Sequence, residues 1–268
     1  MASSAAFFDL DRTLISGASA LPFGIEAWRQ GLASGADLGR WAIVAISFKL
    51  TGDKGESTDA KGDLLSGMGG SSVRALESVG AAVMPKLVAR VRPEARKLLK
   101  MHHEAARDTW IVSASPHEIV EPLARSLGMT GAIGTRMKVV AGHYTGELDG
   151  PFVYGVGKVE ALEKLSSDLG YDLERSYAYS DSVSDLPMLK MVGHPVAVNP
   201  DSELERVAHE RGWPVVIFAR RTKRAVAMTV MGTLGAAAAT GAYALGRRHG
   251  RASALARIRQ EQSAPHRR

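Results

Sequence analysis

Near its start the chain reads Ala5-Ala6-Phe7-Phe8-Asp9-Leu10-Asp11-Arg12-Thr13, a short apolar run that leads directly into two acidic residues. A run of this length that ends in polar residues is typical of a buried strand. Because alternate residues of a strand face the same side, Asp9 and Asp11 can converge where the chain leaves the sheet. We therefore predict a strand over Ala5–Leu10 that ends in two neighbouring carboxylates. The alternative is a turn that carries two solvated acids.

Strand and helix patterns alternate through most of the remaining sequence. The other predicted strands are Thr109–Ala114, Ser176–Ser180, Pro195–Val198 and Pro214–Phe218. The predicted helices are Glu94–Ala106, Pro116–Leu127, Lys158–Leu169, Val183–Met191 and Ser202–Arg211. Short alternating runs over Arg136–Phe152, around Gly142 and Gly150, predict a β-hairpin. The alternation indicates an α/β fold with a mainly parallel sheet and helices on both of its faces.

Residues 16–92 interrupt this alternation, because they contain no clear strand. Helical patterns instead cover Ala20–Leu32, Leu38–Leu50 and Val73–Val91. We interpret residues 16–92 as a helical insertion between the first two core strands. The predicted core then comprises residues 1–15 and 93–218, which is long enough to bury a hydrophobic core of its own.

Polar residues stand at three further boundaries between predicted elements. Ser113 and Ser115 lie where a strand ends and a helix begins, a place where a hydroxyl and backbone N–H groups can bind an anion. Lys158 begins a helix and could reach a phosphate. Asp181 and Asp185 follow another strand. Taken singly, each has an ordinary explanation: Ser115 caps its helix, Lys158 is solvated, and the two acids cap a helix N-terminus.

A metal ion would explain why acids gather at these positions. Two carboxylates as close as Asp9 and Asp11 repel each other unless a cation lies between them. Mg²⁺ suits such a site, because it prefers oxygen ligands and keeps several waters. Asp181 could complete the site and Asp185 could orient it from behind. The chain has no Cys, which excludes thiolate metal sites and a cysteine nucleophile.

The order of these motifs resembles the haloacid dehalogenase (HAD) superfamily of phosphohydrolases. The segments FDLDRTL, VSASPHEIVEPLARSLG, YSDSVSDLPML and VAVNPD are similar to its subfamily IB, whose best-known members are phosphoserine phosphatases. The resemblance covers residues 5–15 and 93–218. It implies a Rossmann-like core of the HAD type, in which residues 16–92 form the helical C1 cap of that subfamily.

The same resemblance implies a Mg²⁺-dependent phosphatase that acts through an aspartyl-phosphate. Asp9 would be the nucleophile. Asp11 would be the general acid for the leaving alcohol and then the base that activates water. The Mg²⁺ ligands would be the side chains of Asp9 and Asp181 together with the backbone carbonyl of Asp11.

Four further residues would support this chemistry. Ser113 and Lys158 would hold the phosphoryl oxygens, and Lys158 would also neutralise charge on the transferred group. Thr13 would bond the loop and help to place Asp11, and Asp185 would support the metal site. A phosphotransferase that passes the phosphoryl group to an alcohol would use the same residues.

The sequence departs from the phosphoserine phosphatases at the positions that read the substrate. Those enzymes carry a Glu shortly after the first motif, whereas Leu14–Ala20 contains no acid and the next acid is Glu26. The insertion also lacks their Phe-x₂-Ser-Leu-x₂-Arg run. We therefore expect a small organic or lipid-linked phosphate as substrate, with phosphoserine as the alternative. Apolar residues of the insertion such as Trp28 fit a lipid-linked substrate, although ordinary helix packing also explains them.

The positive charge of the chain is concentrated in its tail. Residues 219–268 hold 11 of the 34 Lys and Arg and one of the 28 acids, so the tail carries +10 and the remainder −4. Residues 225–246 contain no charge, and 22 residues are enough for a helix that spans a bilayer. We predict an apolar helix there that spans a membrane or binds an anionic membrane surface. A surface helix, or a helix docked on a partner, is the alternative.

These features also bear on partners and location. Because the basic residues lie in the tail, we expect no specific nucleic-acid partner. The first residues show no secretory signal, so we expect a cytoplasmic protein that is tethered to the membrane by its C-terminal segment. A non-catalytic, membrane-tethered binding protein is a further alternative. It predicts the loss of catalytic residues, yet Asp9, Asp11, Lys158, Asp181 and Asp185 are all present.

Overall fold

The computed structural model describes residues 3–33 and 69–218. Its strands are β1 Ala5–Phe8, β2 Asp108–Pro116, β3 Gly131–Thr135, β4 Met137–Val140, β5 His143–Leu148, β6 Tyr177–Ser180, β7 His194–Val198 and β8 Val215–Val216. Six of them form one parallel sheet in the order β3-β2-β1-β6-β7-β8. The remaining two, β4 and β5, form a separate antiparallel hairpin, which confirms the hairpin predicted over Arg136–Phe152.

Helices cover both faces of the sheet. They are α1 Ala20–Arg29, α2 Val73–Arg90, α3 Pro93–Glu104, α4 His117–Ser126, α5 Val156–Leu169, α6 Leu186–Lys190 and α7 Ser202–Arg211. The predicted α/β fold with a mainly parallel, helix-flanked sheet is therefore confirmed. The prediction of one continuous helix over Val183–Met191 was wrong, since a 3₁₀ turn over Val183–Asp185 precedes α6.

The central strand β1 divides the core into two layers. Ala6 and Phe8 pack into the layer built by α1 to α4, whereas Ala5 and Phe7 pack into the layer built by α5 to α7. All four side chains are fully buried. Burial of each Phe contributes roughly 1.5–3 kcal/mol, so β1 is fixed from both sides where it delivers its acidic end.

The last helix of the predicted insertion packs on the same core as β1. Leu76, Val79, Val83 and Leu87 recur at helical spacing along α2 and join the cluster that contains Phe8. Gly80 allows α2 to cross α4 closely, because a Cβ there would lie 3.1 Å from the carbonyl oxygen of Glu118. Two other predicted helices, Leu38–Leu50 and residues 225–246, lie outside the described residues.

The entry into α4 differs from the sequence prediction. The ordinary explanation of Ser115, that it caps this helix, does not hold: the N-cap residue is Pro116, which also ends β2, and no side chain caps the helix. The hydroxyl of Ser115 instead pairs with that of Ser19 at 2.9 Å. The helix ends within one residue of the predicted Leu127, and Gly128 just beyond it takes a positive φ of 68°.

None of the helices within residues 3–33 and 69–218 combines the length and apolar content that a membrane span requires.

Candidate active site

The register of the sheet brings the polar segments to one edge. Phe8 of β1 pairs with Ile111 of β2 on one side and with Tyr179 of β6 on the other. Two residues beyond these partners stand Ser113 and Asp181. Because the carboxyl ends of parallel strands share one edge of the sheet, both residues lie beside the turn that carries Asp9 and Asp11.

Lys158 links two of the predicted site acids. Its Nζ lies 2.7 Å from Oδ1 of Asp9 and 2.8 Å from Oδ2 of Asp185. All three side chains are buried, so Lys158 is not the solvated lysine of the alternative interpretation. The hydroxyl of Ser180 donates a hydrogen bond of 2.6 Å to the same Asp185 oxygen. Asp185 makes no side-chain cap, and it acts on the site through Lys158.

A glycine before Lys158 allows this placement. A Cβ at Gly157 would lie 1.9 Å from the backbone oxygen of Phe152, which is far inside contact distance. The backbone at the start of α5 therefore packs directly against the backbone of the preceding loop, with no room for a side chain between them. The pair Gly157-Lys158 is thus one structural unit, in which the glycine lets the helix deliver the lysine to the buried acids.

Asp11 has a partner of its own. Its Oδ1 accepts a hydrogen bond of 2.8 Å from the backbone N–H of Ser19. The hydroxyl of Ser19 pairs with Ser115, and the N–H of Ser115 donates to Oγ of Ser113 at 3.1 Å. Because Oγ of Ser113 accepts this bond, its own hydrogen is available for an anion. Ser19 was not among the predicted site residues, since a lone serine after the first motif carries no distinctive pattern.

Asp181 lies at the other side of the cluster. Its Oδ2 is buried and makes no hydrogen bond among the described residues, although Nε of Arg12 lies 2.9 Å away. The backbone of Arg12 has a φ of 62°, an unusual value for a residue with a side chain. Asp201, which sequence reasoning missed, holds the Asp181 loop: its N–H donates to the Asp181 carbonyl at 2.8 Å, and its carboxylate accepts from the N–H of Val183 at 2.9 Å.

The predicted contact of Thr13 is absent. Its side chain is buried, but its hydroxyl has no hydrogen-bond partner among the residues that the structure describes. Asp11 is instead positioned by the N–H of Ser19. The expectation that the Thr13 hydroxyl would bond the loop was therefore wrong, because the turn that follows Asp11 brings residue 19, not residue 13, to the carboxylate.

Burial raises the pKa of three acids of the site, Asp9, Asp11 and Asp181. Burial raises the pKa of Asp9 to about 7 against the attraction of Lys158, and burial together with the charge of Asp9 raises the pKa of Asp181 to about 8. Burial also raises the pKa of Asp11, opposed by its bond from Ser19. Burial would lower the pKa of Lys158, but Asp185 and Asp9 outweigh it and raise the pKa above its ordinary value.

These residues fit a magnesium ion that keeps part of its water. Among the described residues, no group of three or more His, Cys, Asp or Glu side chains is arranged to hold a metal alone. Mg²⁺ in phosphate-handling sites is usually held by one or two carboxylates with waters completing its shell. Asp9 and Asp181 supply two carboxylates. Oδ2 of Asp181 accepts no hydrogen bond among the described residues, so it is available as a ligand beside Asp9.

Comparison with known proteins agrees with this geometry. Residues 6–190 match the family described as haloacid dehalogenase-like hydrolase. The chain is 42% identical over 221 residues to a probable phosphatase of Mycobacterium tuberculosis, covering 82% of this chain and 77% of that protein. It is 37% identical over 245 residues to a phosphoserine phosphatase of the same organism, covering 90% and 79%.

A solved structure shares the fold. It is described as a phospho-aspartyl intermediate analogue of phosphoserine phosphatase, and it superposes with a TM-score of 0.58 at 20% identity, covering 85% of this chain and 99% of that chain. Together, the family match over most of the sequence and the two relatives establish what the motifs suggested. The chain belongs to the haloacid dehalogenase-like hydrolase family and is a phosphatase.

Proposed function

We propose that this phosphatase hydrolyses phosphomonoesters with Mg²⁺ through an aspartyl-phosphate on Asp9. The observation that carries the proposal is the different partnering of two acids that are two residues apart. Asp9 contacts the ammonium group of Lys158 at 2.7 Å, whereas Asp11 accepts from the N–H of Ser19 at 2.8 Å. Two carboxylates in different environments can take different roles, one as nucleophile and one as proton donor.

In the first step a carboxylate oxygen of Asp9 attacks phosphorus. The bond between phosphorus and the alcohol oxygen breaks, and the phosphoryl group becomes joined to Asp9. Asp11 gives its proton to the departing oxygen, so the alcohol leaves neutral. Burial favours the protonated form of Asp11 that this step needs, since it raises the pKa of that carboxyl.

In the second step water releases the phosphoryl group. Asp11, now ionised, takes a proton from a water molecule as the water oxygen attacks phosphorus. The bond between phosphorus and the Asp9 oxygen breaks, which restores the Asp9 carboxylate and frees inorganic phosphate. Ser113 donates its hydroxyl hydrogen to a phosphoryl oxygen, and Lys158 offsets negative charge in both steps.

Asp9, Asp181 and the backbone carbonyl of Asp11 would hold Mg²⁺. When bound, the ion supplies positive charge that neutralises the phosphoryl oxygens and favours the ionised form of Asp9. The chemistry of these oxygen ligands is the reason for proposing a metal. Asp9 and Asp181 are buried and have raised pKa values, and the cations that pair with them among the described residues are Lys158 and Arg12.

The proposed substrate is a small organic or lipid-linked phosphomonoester. Trp28 on α1 is half-exposed, so its ring is accessible to an apolar part of a substrate. Phosphoserine is the second candidate, because one relative is a phosphoserine phosphatase. Against it stands the absence of any acid over Leu14–Ala20, where those enzymes read the amino group. A phosphotransferase is chemically equivalent up to the second step, in which an alcohol would replace water.

We further propose that the tail, residues 219–268, holds a cytoplasmic enzyme at an anionic membrane surface. The charge of +10 in this segment supports the proposal. The test is flotation with vesicles of 30% anionic lipid, comparing the full chain with a chain that ends at Phe218. At low salt we expect the full chain to float with the vesicles and the chain that ends at Phe218 to stay behind. If neither protein floats with the vesicles, the tail does not bind membranes.

The catalytic proposal is tested by release of phosphate from p-nitrophenyl phosphate. We expect activity that EDTA abolishes and Mg²⁺ restores. Asp9→Asn should abolish turnover, because an amide cannot form the acyl-phosphate. Asp149→Asn is the control: Asp149 is exposed, and its substitution should leave turnover unchanged. Full activity of a metal-free enzyme would contradict the role of Mg²⁺. A tenth of wild-type activity in Asp9→Asn would contradict the covalent mechanism.

A further inference from the structure

A guanidinium group lies beside the residue that holds Asp11. Arg90 is the last residue of α2, and its NH1 donates to the carbonyl oxygen of Ala18 at 3.3 Å. Its own carbonyl accepts from the N–H of Ser16 at 2.9 Å. Ala18 directly precedes Ser19, whose N–H binds Asp11. Arg90 is thus anchored at both ends to the short segment that positions the proposed general acid.

Arg90 differs from the other two cations of the site in its partners. Lys158 is paired with Asp9 and Asp185, and Arg12 is paired with Asp181. Arg90 is half-buried, yet within residues 3–33 and 69–218 it forms no ion pair with a carboxylate. Its charge acts on Asp11, since it opposes the rise that burial causes in the pKa of that group.

No carboxylate within residues 3–33 and 69–218 forms an ion pair with Arg90, so its partly exposed guanidinium group can attract an anionic ligand. The guanidinium group offers five N–H donors in a planar fork that fits a carboxylate or a phosphate. One donor is used by Ala18, which fixes the orientation of the group without neutralising it. The geometry therefore leaves a positioned guanidinium group near Asp11 that no described carboxylate binds.

We propose that Arg90 binds a second anionic group on the alcohol part of the substrate. The inference rests on the proposed function, in which Asp11 protonates the leaving oxygen and the alcohol consequently lies on the side of Asp11. The substrate class is then a phosphomonoester whose alcohol carries a carboxylate or a phosphodiester. A positively charged amino group on the alcohol contributes no attraction at this position.

The test compares kcat and KM for phosphomonoesters that differ in the second group. 3-Phosphoglycerate carries a carboxylate, glycerol 3-phosphate carries no second charge, and O-phosphoethanolamine carries an ammonium group. We expect kcat/KM for 3-phosphoglycerate to exceed that for the other two by about tenfold or more, mainly through KM, because a charge-assisted hydrogen bond is involved. Phosphatidylglycerol phosphate against phosphatidic acid, both in mixed micelles, makes the same comparison for lipid substrates.

Variants of two arginines complete the experiment. Arg90→Gln should lose most of the preference for the anionic alcohol, and Arg90→Lys should keep part of it. Arg96→Gln is the matched control, since Arg96 also donates to a single backbone carbonyl, that of Val88, but is exposed. This control should keep the full preference. Thermal melts of each variant verify folding, and the lysine variant serves if the glutamine variant does not fold.

The outcomes separate this inference from the proposed function. Equal kcat/KM for charged and uncharged alcohols in both the soluble and the lipid series would overturn the inference while hydrolysis itself stands. A preference that Arg90→Gln and Arg90→Lys leave unchanged would also overturn it. Failure to hydrolyse p-nitrophenyl phosphate with Mg²⁺ would instead remove the proposed function. A preference confined to one of the two series supports the inference and identifies the source of the anion.

Discussion

Two buried polar clusters touch the central strand, and they are built in opposite ways. The first is the active-site cluster of Asp9, Lys158 and Asp185. The second is the His102 cluster, in which His102 is fully buried and its Nε2 lies 2.8 Å from the hydroxyl of Tyr179. The guanidinium of Arg107 lies 3.4 Å from the other ring nitrogen and can only donate, so Nε2 carries the hydrogen and donates to Tyr179.

Burial has different consequences in the two clusters. In the His102 cluster burial lowers the pKa of His102 to about 4, so the ring is neutral and its nitrogens are paired. In the active-site cluster charged groups remain buried, and Asp181 beside them keeps an unbonded oxygen. A buried group that is neutral and paired stabilises the fold, whereas a site with more acids than cations (Asp9, Asp11, Asp181 and Asp185 against Lys158 and Arg12) is a candidate for binding a further cation.

Among the variants that keep the Asp9 nucleophile, the largest effect is expected from Asp11→Asn. The amide keeps an oxygen that accepts from Ser19, but it can neither give a proton to a leaving group nor take one from the attacking water. Because p-nitrophenolate leaves without a proton, the loss with p-nitrophenyl phosphate falls mainly on the second step. We expect kcat to fall by about 10²–10⁴-fold, the usual contribution of general acid–base catalysis, with little change in thermal stability. Steady-state assays with p-nitrophenyl phosphate and melting curves measure both quantities. A loss below tenfold would mean that another group moves the proton.

Lys158→Met should damage both chemistry and stability. It removes the cation between Asp9 and Asp185 and leaves two buried carboxylates uncompensated, which typically costs about 3–5 kcal/mol. Loss of a positioned charge next to the reacting group should reduce kcat by about 10²–10³-fold. Urea unfolding and kinetics provide the measurement. Exchange of the exposed Lys164→Met is the control, and equal effects of the two variants would contradict the role given to Lys158.

Two glycines on the same helix separate catalysis from stability. Gly157→Ala pushes α5 away from the Phe152 carbonyl and so displaces Lys158, and we expect at least a tenfold loss of kcat together with lost stability. Gly170 ends the helix with a φ of 68° and open space around it. Gly170→Ala should therefore cost about 1 kcal/mol of stability and leave kcat unchanged. Unchanged kcat in Gly157→Ala would show that Lys158 reaches the site without this close approach.

The smallest effect on catalysis is expected at the His102 cluster, where the predicted change is a pH dependence of stability. Because the folded pKa of about 4 lies below the ordinary value of 6.5, the neutral ring stabilises the fold above pH 6.5. That contribution is lost as the pH falls from 6.5 towards 4, by up to about 3 kcal/mol. The free energy of unfolding of His102→Gln should decline less over this range than that of the wild type. Exchange of the exposed His209→Gln is the control, and parallel curves for His102→Gln and wild type would contradict the expectation.

The strands differ in how well the sequence predicts them. β1 and β2 carry apolar runs whose length identifies them as buried strands, and the acids that follow mark the site. The strand Gly131–Thr135 was missed, because its two glycines weaken the apolar pattern. Those glycines are required by packing: a Cβ at Gly131 would lie 2.6 Å from the Trp110 ring, and one at Gly134 would lie 2.5 Å from Val120. Contacts of this kind depend on tertiary neighbours that a single sequence does not reveal.

Site residues could be predicted where the side chain is chemically distinctive. They could not be predicted where a backbone group or a backbone conformation makes the contact. Asp9, Lys158 and Asp185 were predicted together, and the structure brings them into contact. Ser19 contributes through its backbone N–H, which any residue type could supply. Arg12 reaches Asp181 through a left-handed backbone that no propensity indicates for arginine.

The central claim is that Asp9 becomes covalently phosphorylated during turnover. The most direct measurement is the mass of acid-quenched enzyme and of its peptides, taken during turnover of p-nitrophenyl phosphate with Mg²⁺. Asp11→Asn should be included, because slower hydrolysis of the intermediate lets it accumulate. We predict one added phosphoryl group on the peptide that contains Asp9, and none in Asp9→Asn. Turnover by Asp11→Asn with Asp9 unmodified, or with the phosphoryl group on another residue, would contradict the account.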